Sequence, residues 1–137
     1  MAKTSSFRDL IAWQKAMILV EECYALANAF PKSEQFALSA QLRRAAVSIP
    51  SNIAEGQRLS RRAFRSHLRI ALASEAELQT HLELAGRLGL AREEALTATM
   101  AQSEEVARIM RGLLASIPKQ PRAGHSRTTD GQLRGDW

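Results

Sequence analysis

The sequence has a single cysteine, Cys23, and aromatic residues make up only 5% of its 137 residues. One cysteine excludes a disulfide within the chain and suits a reducing compartment. No apolar run approaches the roughly 20 residues that a membrane-spanning helix needs, and the N-terminus lacks the continuous apolar core of a signal peptide. We therefore expect a cytoplasmic protein with no membrane partner.

Motifs that carry chemistry are also scarce. No glutamate is followed three residues later by a histidine, the pattern of di-metal sites in helical bundles. His67 and His81 would lie about 21 Å apart along one helix, too far to share an ion. No serine stands in a GxSxG setting and no glycine-rich phosphate loop is present. We therefore predict no enzyme activity, no metal site and no cofactor; the alternative is a bundle that binds a small molecule or cofactor.

The chain is instead rich in alanine and leucine, with 45% hydrophobic residues, 24% charged residues and a net charge of +5. Apolar residues recur every three or four positions in four segments, at about 9–30, 33–56, 60–86 and 92–117. Short turns separate these segments, and no strand-like alternation is present. The pattern predicts an all-α fold, an antiparallel up-down-up-down four-helix bundle over residues 1–118. Residues 119–137 form a polar, basic tail that we expect to be flexible.

Local signals predict where these helices begin and end. Asp9 and Ser33 are the predicted N-caps of the first and second helices. Gly56 is predicted to end the second helix in a left-handed conformation. The sequence RLGLA, with Gly89 at its centre, is the predicted turn between the third and fourth helices.

The first helix carries more apolar surface than a monomeric bundle needs. One arc steps through Leu10, Trp13, Met17, Val20, Tyr24 and Ala27, and a second through Ala12, Leu19, Cys23 and Leu26. A surface helix usually has one apolar stripe and a broad polar face. We therefore predict burial on two sides, and hence a homo-oligomer.

The run QLRRAAVSIPSNIAEG, residues 41–56, places a proline inside an apolar helical stripe. Proline has no N–H group and leaves the carbonyl of Ala46 without its usual donor. A serine hydroxyl or asparagine amide nearby would supply another. We predict a kink stabilised by a buried polar network, whose members are Ser48, Pro50, Asn52 and Glu55.

Arginines crowd the middle of the chain. Between residues 41 and 69 there is one acid, Glu55, and seven arginines: Arg43, Arg44, Arg58, Arg61, Arg62, Arg65 and Arg69. The spacing of Arg58, Arg62, Arg65 and Arg69 predicts one stripe at the start of the third helix. Guanidinium groups suit phosphate and carboxylate partners. One hypothesis is contact with the backbone of RNA or DNA; the other is a solvated face that pairs with glutamates of a neighbouring subunit, such as Glu75, Glu77 or Glu83.

Three segments resemble a known family: FRDLIAWQKA, FPKSEQFALSAQLRRAAVSIPSNIAEGQ and FRSHLRIALASEAEL. The family comprises small bacterial four-helix bundles named for proteins encoded in 23S ribosomal RNA intervening sequences, and the resemblance spans about residues 7–117. It implies a ring, typically a homopentamer, with no enzymatic activity. The family is also similar to accessory proteins of diversity-generating retroelements, which are basic pentameric bundles that bind nucleic acid and a reverse transcriptase. This chain departs from the pattern at Ala73 and Glu75, where members often have a glycine and an apolar residue.

The sequence therefore predicts a non-catalytic, homo-oligomeric assembly protein, with five subunits as the number that the resemblance implies. Its expected partners are further copies of itself, RNA or DNA, and another protein.

Overall fold

The computed structural model describes residues 6–119. In this range the chain forms four α-helices: α1 (Ile11–Asn28), α2 (Leu38–Gln57), α3 (Arg61–Arg87) and α4 (Glu93–Ser116). Two short 3-10 helices, Phe7–Asp9 and Lys32–Glu34, precede α1 and α2. The described residues include no strand, and the predicted all-α class is confirmed.

The helices pack as a four-membered cycle. Each contacts the next in the sequence and α4 returns to α1, while the diagonal pairs lie farther apart. Short connections make consecutive helices antiparallel, as an up-down-up-down bundle requires. All four supply side chains without exposed surface to one core, among them Leu19, Leu42, Ile49, Ile53, Leu68, Leu78 and Val106.

The helix starts differ in part from the sequence prediction. Asp9 lies in the first 3-10 helix and Leu10 occupies the N-cap of α1, so the prediction for Asp9 is wrong. The prediction for Ser33 is also wrong, because Ala37 adopts a non-helical conformation and α2 begins only at Leu38. There the Glu34 carboxylate accepts a bond from the Leu38 N–H at 3.3 Å.

Two glycines have different roles. Gly89 has a φ of 66° and forms the predicted turn before α4. Gly56 lies within α2, so the prediction that it adopts a left-handed conformation is wrong. A Cβ atom at Gly56 would lie 2.6 Å from Cβ of His67 on α3. Because glycine has no side chain there, α2 and α3 approach closely at this point.

The second apolar arc of α1 is buried in the core of the subunit, whereas the first is divided: Leu10, Trp13 and Val20 pack against the core while other members are exposed. The buried residues of α1 are Ala12, Ala16, Leu19, Cys23, Leu26 and Ala27. Met17 and Tyr24 are the members of the first arc that are exposed. None of the helices within residues 6–119 has the length and hydropathy needed to cross a bilayer. The predicted flexible tail lies, apart from Lys119, outside the described residues.

Candidate nucleic-acid interface and polar seam

The bundle divides the seven arginines among three environments. Arg65 turns inward and is only 9% exposed. Its Nη1 atom donates to the backbone carbonyls of Leu114 at 3.0 Å and Ile117 at 2.7 Å. These carbonyls lie at the C-terminal end of α4, where no further helical N–H is available. Arg65 is therefore a clamp between α3 and α4, and its predicted place in an exposed stripe is wrong.

The corner between α2 and α3 carries most of the exposed positive charge. Arg58 lies just after α2, and its guanidinium carbon is 5.9 Å from the centre of the Phe7 ring. Arg61, Arg62 and Arg69 are exposed on α3. Arg62 and Arg69 are two helical turns apart on one face, a separation of about 10 Å. We call Arg58, Arg61, Arg62 and Arg69 the arginine corner.

Arg43 and Arg44 lie away from the arginine corner, near the start of α2. Fifteen residues separate Arg43 from Arg58, which is about 22 Å along a helix. Arg43 lies over the Tyr24 ring of α1, with its guanidinium carbon 5.6 Å from the ring centre. Arg44 is exposed. The seven arginines are thus not one continuous surface.

Polar side chains between α2 and α3 form a chain of hydrogen bonds that we call the polar seam. Asn52 donates through Nδ2 to the backbone oxygen of Ser48 at 2.9 Å and to its Oγ at 3.2 Å. Ser48 Oγ bonds Ser74 Oγ at 2.7 Å, and Asn52 Oδ1 lies 2.9 Å from His67 Nδ1. Since the Asn52 amide nitrogen is the donor toward Ser48, its oxygen accepts from a protonated Nδ1 of His67.

Pro50 and Glu55 lie at the edges of this seam. Helix α2 continues through Pro50, which is buried. The side-chain amide of Asn52 donates to the carbonyl of Ser48, one helical turn earlier. It does not donate to the carbonyl of Ala46, the group that Pro50 leaves without its usual donor. Glu55 is exposed, with its Oε1 3.7 Å from His67 Nδ1.

Two further groups have burial-shifted pKa values. Burial raises the pKa of the Cys23 thiol to about 12, and the charge of Glu22 adds to the shift. Burial lowers the pKa of His81, and the nearby Glu77 partly opposes that shift. A thiol with such a pKa is a poor nucleophile, because the thiolate is the reactive form. No three His, Cys, Asp or Glu side chains in the described part of the chain are grouped as metal ligands.

The glutamates that the alternative hypothesis pairs with a neighbour's arginines have partners in their own subunit. Glu83 Oε2 lies 3.5 Å from Arg87 Nε, and Glu77 Oε2 lies 3.8 Å from His81 Nε2. Glu75 is only 4% exposed and accepts a bond from Ser103 Oγ at 2.6 Å. Glu75 is therefore not part of an exposed acidic face; it lines a cavity between α3 and α4.

The run from Gln41 to Gly56, where the family resemblance is strongest, lies in α2. It packs closely against α3 at Gly56. A family model described as 23S rRNA-intervening sequence protein matches residues 8–112, more than half of the chain. The chain belongs to this family. The predicted family is therefore confirmed.

A solved structure has a fold similar to that of this chain. It is the crystal structure of a protein with unknown function from the S23 ribosomal protein family of Bacteroides thetaiotaomicron VPI-5482. The TM-score is 0.73 at 24% sequence identity, over 77% of this chain and 96% of that one. A search of curated proteins finds no match to this chain.

Sequence reasoning missed two structural features of this family member. One is the clamp made by Arg65; its position three residues before the buried Leu68 places it toward the inner side of α3. The other is His67, which joins the polar seam across 15 residues of sequence. No local signal points to that bond, because it depends on how α2 and α3 are aligned.

Proposed function

We propose that this protein is a non-catalytic, self-assembling four-helix bundle that binds the backbone of RNA or DNA through its arginine corner. The observation that carries the proposal is the concentration of unpaired guanidinium groups at one end of the bundle. Arg58, Arg61, Arg62 and Arg69 make no ion pair with another described residue.

Charge at that end of the bundle supports the proposal. The start of α1 and the end of α4 lie at the same end as the α2–α3 corner, and they add Arg8 and Lys119. Among the described residues, the exposed acids at that end are Asp9 and Glu55. The aromatic ring that contacts the arginine corner is Phe7, and the guanidinium groups of Arg8 and Arg58 already lie against it. Binding to phosphates with little sequence preference is what such a surface favours.

Exposed apolar side chains on α1 support self-assembly. Ile11, Met17, Ile18 and Tyr24 are 57%, 37%, 46% and 43% exposed in the single subunit. Scattered exposed apolar residues are ordinary, but several on one helix favour a protein contact. A second copy of this chain is the partner that we propose, and a ring of five would repeat the arginine corner around its axis. Repetition would increase the avidity of weak phosphate contacts.

Binding of a labelled single-stranded RNA, followed by fluorescence anisotropy, tests the role of the arginine corner. The test variant combines Arg61→Gln, Arg62→Gln and Arg69→Gln. The matched control removes the same charge elsewhere, through Arg87→Gln, Arg92→Gln and Arg108→Gln. Each of these three arginines lies within 4.0 Å of a carboxylate, from Glu83, Glu94 and Glu105 respectively.

We expect the corner variant to lose about tenfold or more in affinity at about 50 mM salt, and the control to change much less. Affinity of the wild type should fall steeply as salt is raised to about 200 mM, because each neutralised phosphate releases counterions. Equal losses in the two variants would contradict the assignment to this corner. Absence of binding by the wild type at low salt would contradict the nucleic-acid function itself.

A further inference from the structure

We propose that the groove between α3 and α4 binds an organic cation, a primary ammonium or guanidinium group, that pairs with the buried carboxyl group of Glu75. This site lies where α3 faces α4, whereas the polar seam lies where α3 faces α2. It does not depend on nucleic-acid binding or on self-assembly.

Glu75 is buried without a matching positive charge. Ser103 Oγ and Gln79 Nε2 both donate to its Oε2 atom. Among the described residues, no group donates to Oε1, and no lysine or arginine nitrogen lies within 4.0 Å of the carboxyl group. Burial of an acidic group is unfavourable unless a charge or sufficient hydrogen bonds compensate for it. A cation bound at Oε1 would provide that compensation.

The groove beside Glu75 has room for such a ligand. Two adjoining cavities of about 610 and 670 Å³ share Glu83, Arg87 and Met100. Glu75 lines the second cavity. These volumes fall within the range of about 300–1,000 Å³ that is usual for small-molecule sites.

The lining of the groove selects the chemical class of the ligand. Leu82, Leu96 and Met100 give the first cavity an apolar floor, and Glu93 and Glu104 stand beside it. Four glutamates line the two cavities against two arginines, Arg87 and Arg111, so the groove as a whole disfavours anions, and its apolar floor suits a carbon stem. A divalent metal would need several ligands, whereas no group of three acidic, histidine or cysteine ligands occurs within residues 6–119. An ammonium or guanidinium group on an aliphatic stem fits all three features.

Arg111 is the alternative source of positive charge. It lines the same cavity as Glu75 and is exposed. A change in its side-chain conformation could bring it to Glu75 and fill the site from within the chain. The experiment therefore includes an Arg111→Ala variant.

Isothermal titration of the full chain with agmatine tests the proposal, at an ionic strength matched with sodium chloride. A capped Ala-Arg-Ala peptide is the second probe, since it tests whether a guanidinium group attached to a peptide can enter the groove. Tetramethylammonium, which has charge but no N–H donor, is the negative control. The variants are Glu75→Gln and, as a matched loss of charge outside the groove, Glu94→Gln.

We expect saturable binding of agmatine by the wild type and none of tetramethylammonium. Glu75→Gln should weaken binding by about tenfold or more, since it removes one partner of a buried charge pair. Glu94→Gln should change the affinity for agmatine by less than about twofold, because the Glu94 carboxylate is exposed beside Arg92. Binding of the peptide as well would show that a guanidinium group on a peptide can enter the groove, and binding of agmatine alone that only a small free cation can; both results support the site.

Three results would overturn the proposal: no saturable binding by the wild type, equal binding by Glu75→Gln, or binding that appears only after Arg111→Ala. If Glu75→Gln fails to fold, chemical-shift changes in the wild type decide instead. Agmatine should then shift the amide signals of Gln79, Met100 and Ser103. Shifts confined to other parts of the chain would reject the site.

Discussion

Helix α3 packs against its two neighbours in contrasting ways. On the α2 side, Gly56 lets the backbones approach and neutral groups of Ser48, Asn52 and Ser74 bond one another. On the α4 side, the contacts include charged groups: Arg65 bonds the end of α4, and Glu75 bonds Ser103. Open cavities lie along the α4 side, beyond Glu75.

The contrast shows how one helix can serve both packing and binding. Neutral side chains that satisfy one another can be brought close together, because no charge has to be taken out of water. Charged groups remain costly to bury unless they are paired and hydrogen-bonded, and on the α4 side a cavity adjoins the buried Glu75. We infer that the α2 side fixes the alignment of the bundle and that the α4 side is available for ligands.

The largest effect is expected at Gly56, on the side of α3 where α2 approaches closely. We expect Gly56→Ala to destabilise the protein by about 2 kcal/mol or more, because the new methyl group overlaps Cβ of His67. Gly112→Ala on α4 is the matched control, since nothing lies within 4 Å of its added Cβ. The control should stabilise the helix by about 0.5–1 kcal/mol. Urea denaturation followed by circular dichroism measures both changes.

If Gly56→Ala is as stable as Gly112→Ala, the two helices have room to separate. The close approach of α2 and α3 would then not be required for the fold.

The next largest effect is expected at the Arg65 clamp, which joins the start of α3 to the end of α4. Arg65→Ala leaves the carbonyls of Leu114 and Ile117 without this donor and should cost about 1.5–3 kcal/mol, as charged hydrogen bonds do. Arg62→Ala, at an exposed site on the same helix, should stay within about 0.5 kcal/mol of the wild type. Thermal melting of the two variants compares them. Equal stability would mean that the end of α4 does not depend on Arg65.

The polar seam provides a smaller effect. Asn52→Leu removes the bonds to Ser48 and leaves His67 Nδ1 without its acceptor, at a cost of about 1–2 kcal/mol. Glu55→Ala should cost less than about 0.5 kcal/mol, because Glu55 is exposed and only one contact of 3.7 Å is lost. The unfolding free energies of both variants check this order. Two unchanged values would show that the seam contributes nothing to the alignment of α2 and α3.

The smallest predicted effect is a dependence on pH through His81. Burial lowers its pKa in the folded state, against partial opposition from Glu77. The unfolded chain therefore takes up a proton more readily, and stability should fall as the pH drops below about 6.5. His81→Gln removes this titration, so its melting temperature should decrease less between pH 7 and pH 5 than that of the wild type. An identical decrease in both proteins would contradict the contribution of His81.

The fold could be predicted because its signals are local. A period of three to four residues identifies each helix, and Gly89 identifies the last turn, so the four segments agree with α1 to α4 within a few residues. The start of α2 was predicted too early, since Ser33 resembles a cap whether or not the chain continues as a helix. Ala37, which interrupts that segment, has no such signal in its side chain.

The candidate sites were predicted less completely, because they depend on rotation and alignment of helices. The sequence identifies seven arginines, but a rotation of about 60° around α3 separates the exposed Arg62 from the buried Arg65. Ser48 and Asn52 were identified as polar residues of one stripe, whereas their partners Ser74 and His67 come from another helix. Glu75 bonds Ser103 across 28 residues, a contact that periodicity alone does not reveal.

The central claim of the proposed function is that several copies of this chain act together. Light scattering coupled to size exclusion, on the wild type at micromolar concentration, measures this directly. We predict a single species whose mass is a multiple of the 15.1 kDa chain, with five copies as the expected number. A mass of 15.1 kDa at that concentration would contradict the account.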